Sequence, residues 1–209
     1  MAPDRIPINS DCSGKHGGML AACRAQGWPL DTYRSPDHPL QREVLRSVLD
    51  ATGLSDVRIG IDGCGVPVHG MPLHRMARIY ARLTAPDRWG ELEGPVRRAV
   101  DAMTAEPYLV AGRNRVDTAV MQTAPGLVVK GGAEGLMCAA WPERGLGIAV
   151  KIRDGSPRAS GPALIHSLGS LGALTEEHVA GLAAFARPAV LGGGERVGEL
   201  VPAFSLALA

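Results

Sequence analysis

The sequence predicts an α+β fold in which an antiparallel sheet is flanked by helices. Three observations carry that prediction. Helical periodicity dominates the first half, most clearly over residues 37–52. Residues 127–152 switch to short apolar runs between glycines, the pattern of consecutive antiparallel strands. Helical spacing returns after residue 160. Helices, then a strand meander, then helices, fit segregated rather than alternating α and β elements.

Each element has a local reason. Residues 1–15 read as loop, and a helix follows over 16–27, where Gly17 and Gly18 suggest close packing at its start and Gly27, Trp28 and Pro29 stop it. Over 37–52, Leu40, Val44, Leu45, Val48 and Leu49 share one face while Gln41, Arg42, Glu43, Arg46 and Asp50 take the other, and Gly53 ends the helix. Residues 57–62 alternate as a strand and run into a turn-forming segment at 63–67. Helices follow at 73–84 and 93–105, the second with Pro95 in its first turn. Strands are expected at 127–130, 136–141 and 147–152. A glycine-interrupted helix is expected at 161–173, and a better one at 175–187 with Thr175 as N-cap and Glu176 and Glu177 in the favourable first turn.

At 209 residues the chain fits one domain, 1–209, large enough to bury a core. Hydrophobic residues make up 45% and charged residues 21%, which argues against disorder. A net charge of +1 gives no polybasic surface, so a nucleic-acid partner is not expected. No run reaches the ~18 apolar residues of a membrane span. Residues 1–8 lack the apolar stretch of a secretory signal, so the cytoplasm is the expected compartment. Four cysteines are too few for a disulfide scaffold at this length. The cations are 19 Arg against three Lys, so Lys15, Lys130 and Lys151 stand out. Lysine can shed a proton near neutral pH when its pKa is lowered, whereas arginine cannot.

Three segments concentrate reactive groups. Cys12-Ser13-Gly14-Lys15-His16 places a thiol, a hydroxyl, an amine and an imidazole at a helix start, where free N–H groups favour a thiolate. It reads either as a thiolate ligand or nucleophile, or as a polar helix entry capped by Ser13. Asp62-Gly-Cys64-Gly-Val-Pro67 presents an acid and a thiol after a strand, either as a ligand-approach turn or as a tight turn with a buried cysteine. Cys12 and Cys64 together offer two soft ligands for zinc. Cys23 and Cys138 lie in apolar runs and read as helix core and strand core. Lys130, at a strand end before Gly131, reads as an active-site lysine of the kind found in penicillin-binding-type hydrolases, or as a solvated strand end. Lys151 reads more simply as a strand-face cation.

Five blocks in order, CSGKHGGML at 12–20, HPLQ at 38–41, DGCGVP at 62–67, KGGAEG at 130–135 and GLGIAVKI at 145–152, closely resemble the Rhizobium etli-type, class 3, zinc-containing L-asparaginases. The resemblance implies hydrolysis of L-asparagine, or a similar small amide, to L-aspartate and ammonia. It also implies a fold related to serine-dependent glutaminases and serine β-lactamases, and a homodimer. Carried over by motif, Cys12, Lys15 and Cys64 match zinc ligands and Asp62 the functional acid beside them. Lys130 matches the lysine of a Ser–Lys pair, with Lys151 in a second family-like block as the alternative. A neutral lysine ligand at pH 7 costs about 4–5 kcal/mol, which zinc binding worth about 10–16 kcal/mol can offset.

Members of that family extend further at the N-terminus, where their Ser-x-x-Lys pair and a second serine lie. No serine here lies three residues before Lys15, Lys130 or Lys151, and Ser13 stands only two residues from Lys15. The expectation is that residues 1–209 correspond to the C-terminal two-thirds of an asparaginase, with little or no activity alone. The alternatives are a non-catalytic, zinc-holding relative that binds an amino acid or a partner, and a hydrolase in which zinc activates water.

Overall fold

The computed structural model describes residues 6–207 and is an α+β protein of small antiparallel sheets flanked by helices. It divides into two compact units, Met1–Met71 and Pro72–Ala209.

The first unit holds α1 (Ser13–Gln26), α2 (Pro39–Thr52) and the hairpin of β1 (Arg58–Ile61) and β2 (Pro67–Gly70). α1 starts three residues earlier than the sequence suggests, so Lys15 and His16 lie within its first turns. Gly17 and Gly18 are not close-packed, because a Cβ on either would meet nothing within 4 Å. Cys23 on this helix is fully buried, as its apolar run predicts. α1 packs on α2, and α2 on β2. His38 caps α2: its Nδ1 accepts the Leu40 N–H at 3.1 Å, so its Nε2 carries the proton and donates to the Pro29 carbonyl at 3.0 Å. Gln41 in the next turn donates to the Tyr33 carbonyl at 2.9 Å. The start of α2 thereby fixes the loop at residues 28–37. β2 is a strand the sequence reading does not assign. Pro67 opens it, one of the few strand positions that tolerates a missing N–H.

The second unit is built on a three-stranded sheet in the order β3 (Val128–Gly132), β4 (Leu136–Trp141), β5 (Leu146–Lys151). These are the three meander strands expected, within a residue or two at their ends. Val129, Met137, Ala139 and Trp141 pack with Val120, Leu164, Ile165, Leu168, Leu174 and Leu182 in the main core. Those partners come from α6 (Val116–Thr123), α7 (Ser160–Ser170) and the two residues that flank α8 (Glu176–Gly181), Leu174 before it and Leu182 after it. Cys138 is buried at 1% exposure, in strand core as expected.

The opposite sheet face carries α3 (Leu73–Leu83), which packs on β4 and β5. The crossing is so close at Gly147 that a Cβ there would lie 2.0 Å from the Ala77 carbonyl oxygen and 2.2 Å from the Ala81 nitrogen. α4 (Glu93–Ala105) forms as expected, and α5 (Pro107–Ala111) follows it. The single helix expected at 175–187 is two, because Leu182 leaves helical geometry (φ −95°, ψ 13°) between α8 and α9 (Ala183–Ala186). Thr175 caps α8 in a reciprocal box with His178. β6 (Ala189–Gly192) and β7 (Glu195–Glu199) form a further hairpin.

Among the described residues, no helix is long and apolar enough to cross a membrane.

Candidate metal centre and adjoining cavity

Four of the five residues singled out in the sequence meet in the first unit. Cys12 occupies the N-cap position of α1, and Lys15 lies three residues on, over the same first turn. Asp62 and Cys64 belong to the turn that joins β1 to β2. That turn is closed by Gly65 N–H donating to the Asp62 carbonyl at 2.8 Å and by Asp62 N–H donating to the Val66 carbonyl at 2.9 Å. Gly65 has φ +86°, a conformation that favours glycine, and a Cβ there would lie 2.8 Å from Arg34 Nη1.

The ligand atoms of Cys12, Asp62 and Cys64 all lie within 4.8 Å of one another, and no other such trio of His, Cys, Asp or Glu occurs among the described residues. A tetrahedral ion with metal–sulfur bonds of about 2.3 Å separates its sulfur ligands by about 3.8 Å. The trio therefore fits a small divalent ion after modest side-chain adjustment, and its two thiols favour a soft or borderline one. Lys15 Nζ joins the group, 3.4 Å from Cys64 Sγ and 3.6 Å from Asp62 Oδ2.

The groups tune one another. Asp62 is held below the usual carboxylate range, first by the Cys64 thiol donating to Oδ2 at 3.3 Å, then by the Gly63 N–H donating to Oδ1 at 2.9 Å, and by Lys15. Burial acts against the charge on Lys15, but its hydrogen bond to Cys64 and the surrounding acidic groups outweigh that, so its pKa lies above the ordinary value. Burial raises the Cys12 thiol, and Cys64 and Asp11 add to this against the opposing pull of Lys15. The Lys15 ammonium thus sits against the same donors that suit a cation.

Lys130 lies in the second unit, mid-way along β3, with its ammonium donating to the Gly131 carbonyl at 2.6 Å. Lys151, at the end of β5, donates to the Glu134 carbonyl and, at 2.9 Å, to that of Ile152. No serine hydroxyl hydrogen-bonds either lysine among the described residues.

Sequence reasoning missed Asp117. This carboxylate is 2% exposed in the first turn of α6 and accepts the Gly131 N–H beside Lys130. A lone acid at a helix start carries no motif, and its burial is visible only in the fold.

It also missed a cavity of about 450 Å³ in the first unit, lined by Ser13, His16, Tyr33, Arg34 and Cys64 together with apolar residues of the N-terminal segment and α1. Tyr33 bonds His16 Nδ1 at 2.5 Å with the rings edge to face. His16 Nε2 is buried without a hydrogen-bond partner among the described residues, a condition that costs about 1–3 kcal/mol. The block at 38–41 was the available signal, since His38 and Gln41 anchor the loop that carries Tyr33 and Arg34.

An α+β chain with two thiols, a carboxylate and an amine converging beside a cavity is a candidate metal-binding protein with room for a small ligand. Residues 3–202 match the family model described as L-asparaginase II, and the chain belongs to that family. The family is one of asparaginase-like amidohydrolases, whose substrate is an amide such as asparagine. No curated protein matches the chain.

Proposed function

We propose that this chain is a zinc-holding member of the Rhizobium etli-type, class 3 L-asparaginases, a class that converts L-asparagine to L-aspartate and ammonia. The observation that carries the proposal is the convergence of Cys12, Asp62 and Cys64 within 4.8 Å, in a chain of the asparaginase family. Cys12, Lys15 and Cys64 would hold the ion, and Asp62 is the acid beside it. Bound there, zinc would supply a fixed positive charge able to polarise a carbonyl or activate a water. Asp62, ionised at neutral pH, meets both Lys15 and Cys64 through Oδ2 while Oδ1 takes the Gly63 N–H, and it can accept a proton-bearing group of the substrate. Lys130 is the proposed active-site lysine of the second unit, with Lys151 as the alternative.

The hydroxyl nucleophile is not assigned within residues 1–209, since none of the three lysines follows a serine at the Ser-x-x-Lys spacing. The chain alone is therefore expected to turn over little or no asparagine. The relation to the β-lactamase and glutaminase folds, a homodimeric state and a cytoplasmic location complete the proposal. Association is supported by the exposed apolar side chains of Ile59 and Ile61, which share one face of β1. The same missing Ser-x-x-Lys favours a second reading, a zinc-holding relative that binds an amino acid or a partner without turnover.

The test is zinc content by mass spectrometry for the wild type, Cys12→Ser and Cys64→Ser, with ammonia release from L-asparagine measured in parallel. The expected result is stoichiometric zinc in the wild type and its loss in both variants. Unchanged zinc in both variants would overturn the metal assignment. Full turnover by the isolated chain would overturn the expectation of little or no activity.

A further inference from the structure

We infer that Arg34 is the carboxylate-recognising residue of the cavity beside the cysteine cluster, and that the cavity takes the free α-carboxylate of an amino-acid amide. The inference rests on the amide-substrate reading above and names the group that would hold the non-reacting end of the substrate.

Charge is the first argument. Among the described residues that line the cavity, Arg34 is the single charged side chain, so they present a cation and no anion to an occupant. Among the described residues, no hydrogen bond or ion pair holds the Arg34 guanidinium. A guanidinium is planar and always charged, and its fork of N–H donors matches the two oxygens of a carboxylate.

Placement is the second. Arg34 lies against Gly65, where an added Cβ would come 2.8 Å from its Nη1, so the turn that carries Asp62 and Cys64 also leaves space for the guanidinium. The loop that carries Arg34 is itself secured. Tyr33 is bonded through its hydroxyl to His16 and through its carbonyl to Gln41. A fixed loop presents the cation without the ordering cost that a free one would incur.

Shape is the third. Cys64 lines the same cavity as Arg34, so a ligand whose carboxylate meets Arg34 has its other end directed along a wall shared with the cluster. The uncharged polar groups of Ser13 and Tyr33 also line that wall and suit an amide or ammonium rather than a second carboxylate. An amino acid with a neutral side-chain amide satisfies this arrangement.

The test is calorimetric titration of the full chain with L-asparagine, with L-asparaginamide, in which the α-carboxylate is an amide, and with succinate. The expected result is at least tenfold tighter binding of L-asparagine than of L-asparaginamide by the wild type. Arg34→Gln should remove that preference and leave L-asparaginamide binding unchanged, while Arg34→Lys, lacking the planar fork, should restore it only in part. Zinc content and melting temperature should be unchanged in both variants, because Arg34 is exposed and unbonded.

A preference for L-asparagine that persists in Arg34→Gln would overturn the inference and leave the amide-substrate reading standing. Arg34-dependent binding of succinate with no binding of L-asparagine would do the reverse, supporting the carboxylate site and removing the amide substrate. A wild type that binds none of the three would overturn the inference.

Discussion

Lys15 Nζ sits 3.4 Å from Cys64 Sγ across 49 residues of sequence, so the first turn of α1 and the β1–β2 turn share one cluster. The lysine is held there as a cation, with Asp62 as its ion-pair partner at 3.6 Å. A metal bound by Cys12, Lys15 and Cys64 would have to displace the protons of these groups. Two consequences follow for experiment.

Lys15→Arg keeps the positive charge but cannot lose its proton. Zinc affinity is expected to fall by at least about tenfold, the lower range for disturbing a metal site, with the fold retained. Competition against a chromophoric chelator measures it. Unchanged affinity would remove Lys15 from the ligand set.

Zinc uptake is expected to release protons and to weaken as pH falls, because each thiol must ionise to bind. Burial holds Cys12 above its ordinary pKa, so at neutral pH it starts as a thiol. Calorimetry in two buffers of different ionisation enthalpy counts the protons. A count of zero would rule out thiolate ligation.

Gly147→Ala is expected to destabilise the second unit by about 1–3 kcal/mol or more. A methyl there would fall 2.0 Å from the Ala77 carbonyl oxygen, and backbone atoms of a helix cannot step aside as a side-chain end can. Thermal melting measures the loss, and a neutral result would mean that α3 does not cross β5 this closely.

Thr175→Ala should cost about 0.5–2 kcal/mol by removing one half of the capping box at α8. Denaturant titration checks it, with Thr175→Ser as a control that retains the hydroxyl.

Cys138 gives a signed pH dependence. Burial pushes its thiol up to about 12, from an unfolded value near 9.0. The unfolded chain therefore releases this proton at lower pH than the folded one. The contribution to stability is full below about pH 9 and is lost as pH rises toward 12. Burial also raises the neighbouring Tyr80 hydroxyl, which acts in the same direction. Cys138→Ala should therefore flatten, not abolish, the alkaline fall in melting temperature.

The elements legible in the sequence are those with a long period or clear punctuation. α2 shows itself through five apolar residues on one face, and β3, β4 and β5 through runs cut by glycines. β2 is hidden because Pro67 follows turn-forming glycines and reads as more of the turn. α5 and α6 are only 5 and 8 residues long, too short to show an amphipathic repeat. β6 and β7 are exposed along nearly all their length, so no buried face imposes alternation. Within the site, Cys12, Lys15, Asp62 and Cys64 were legible because reactive types crowd into two short motifs. Arg34 and Asp117 were not, because an isolated arginine in a loop or an acid at a helix start looks like any other until neighbours are placed around it.

Gly131 lies on β3, at the edge of its sheet, and both its main-chain groups have side-chain partners: Asp117 takes the N–H and Lys130 the carbonyl. Free main-chain groups on a sheet edge are what allow a foreign strand to add on and begin a fibril. Here a buried acid and a folded-back ammonium fill those positions, so a strand approaching at this point meets occupied groups instead of a template. The two side chains thus close this point of the sheet edge to a further strand, whatever part Lys130 takes in chemistry.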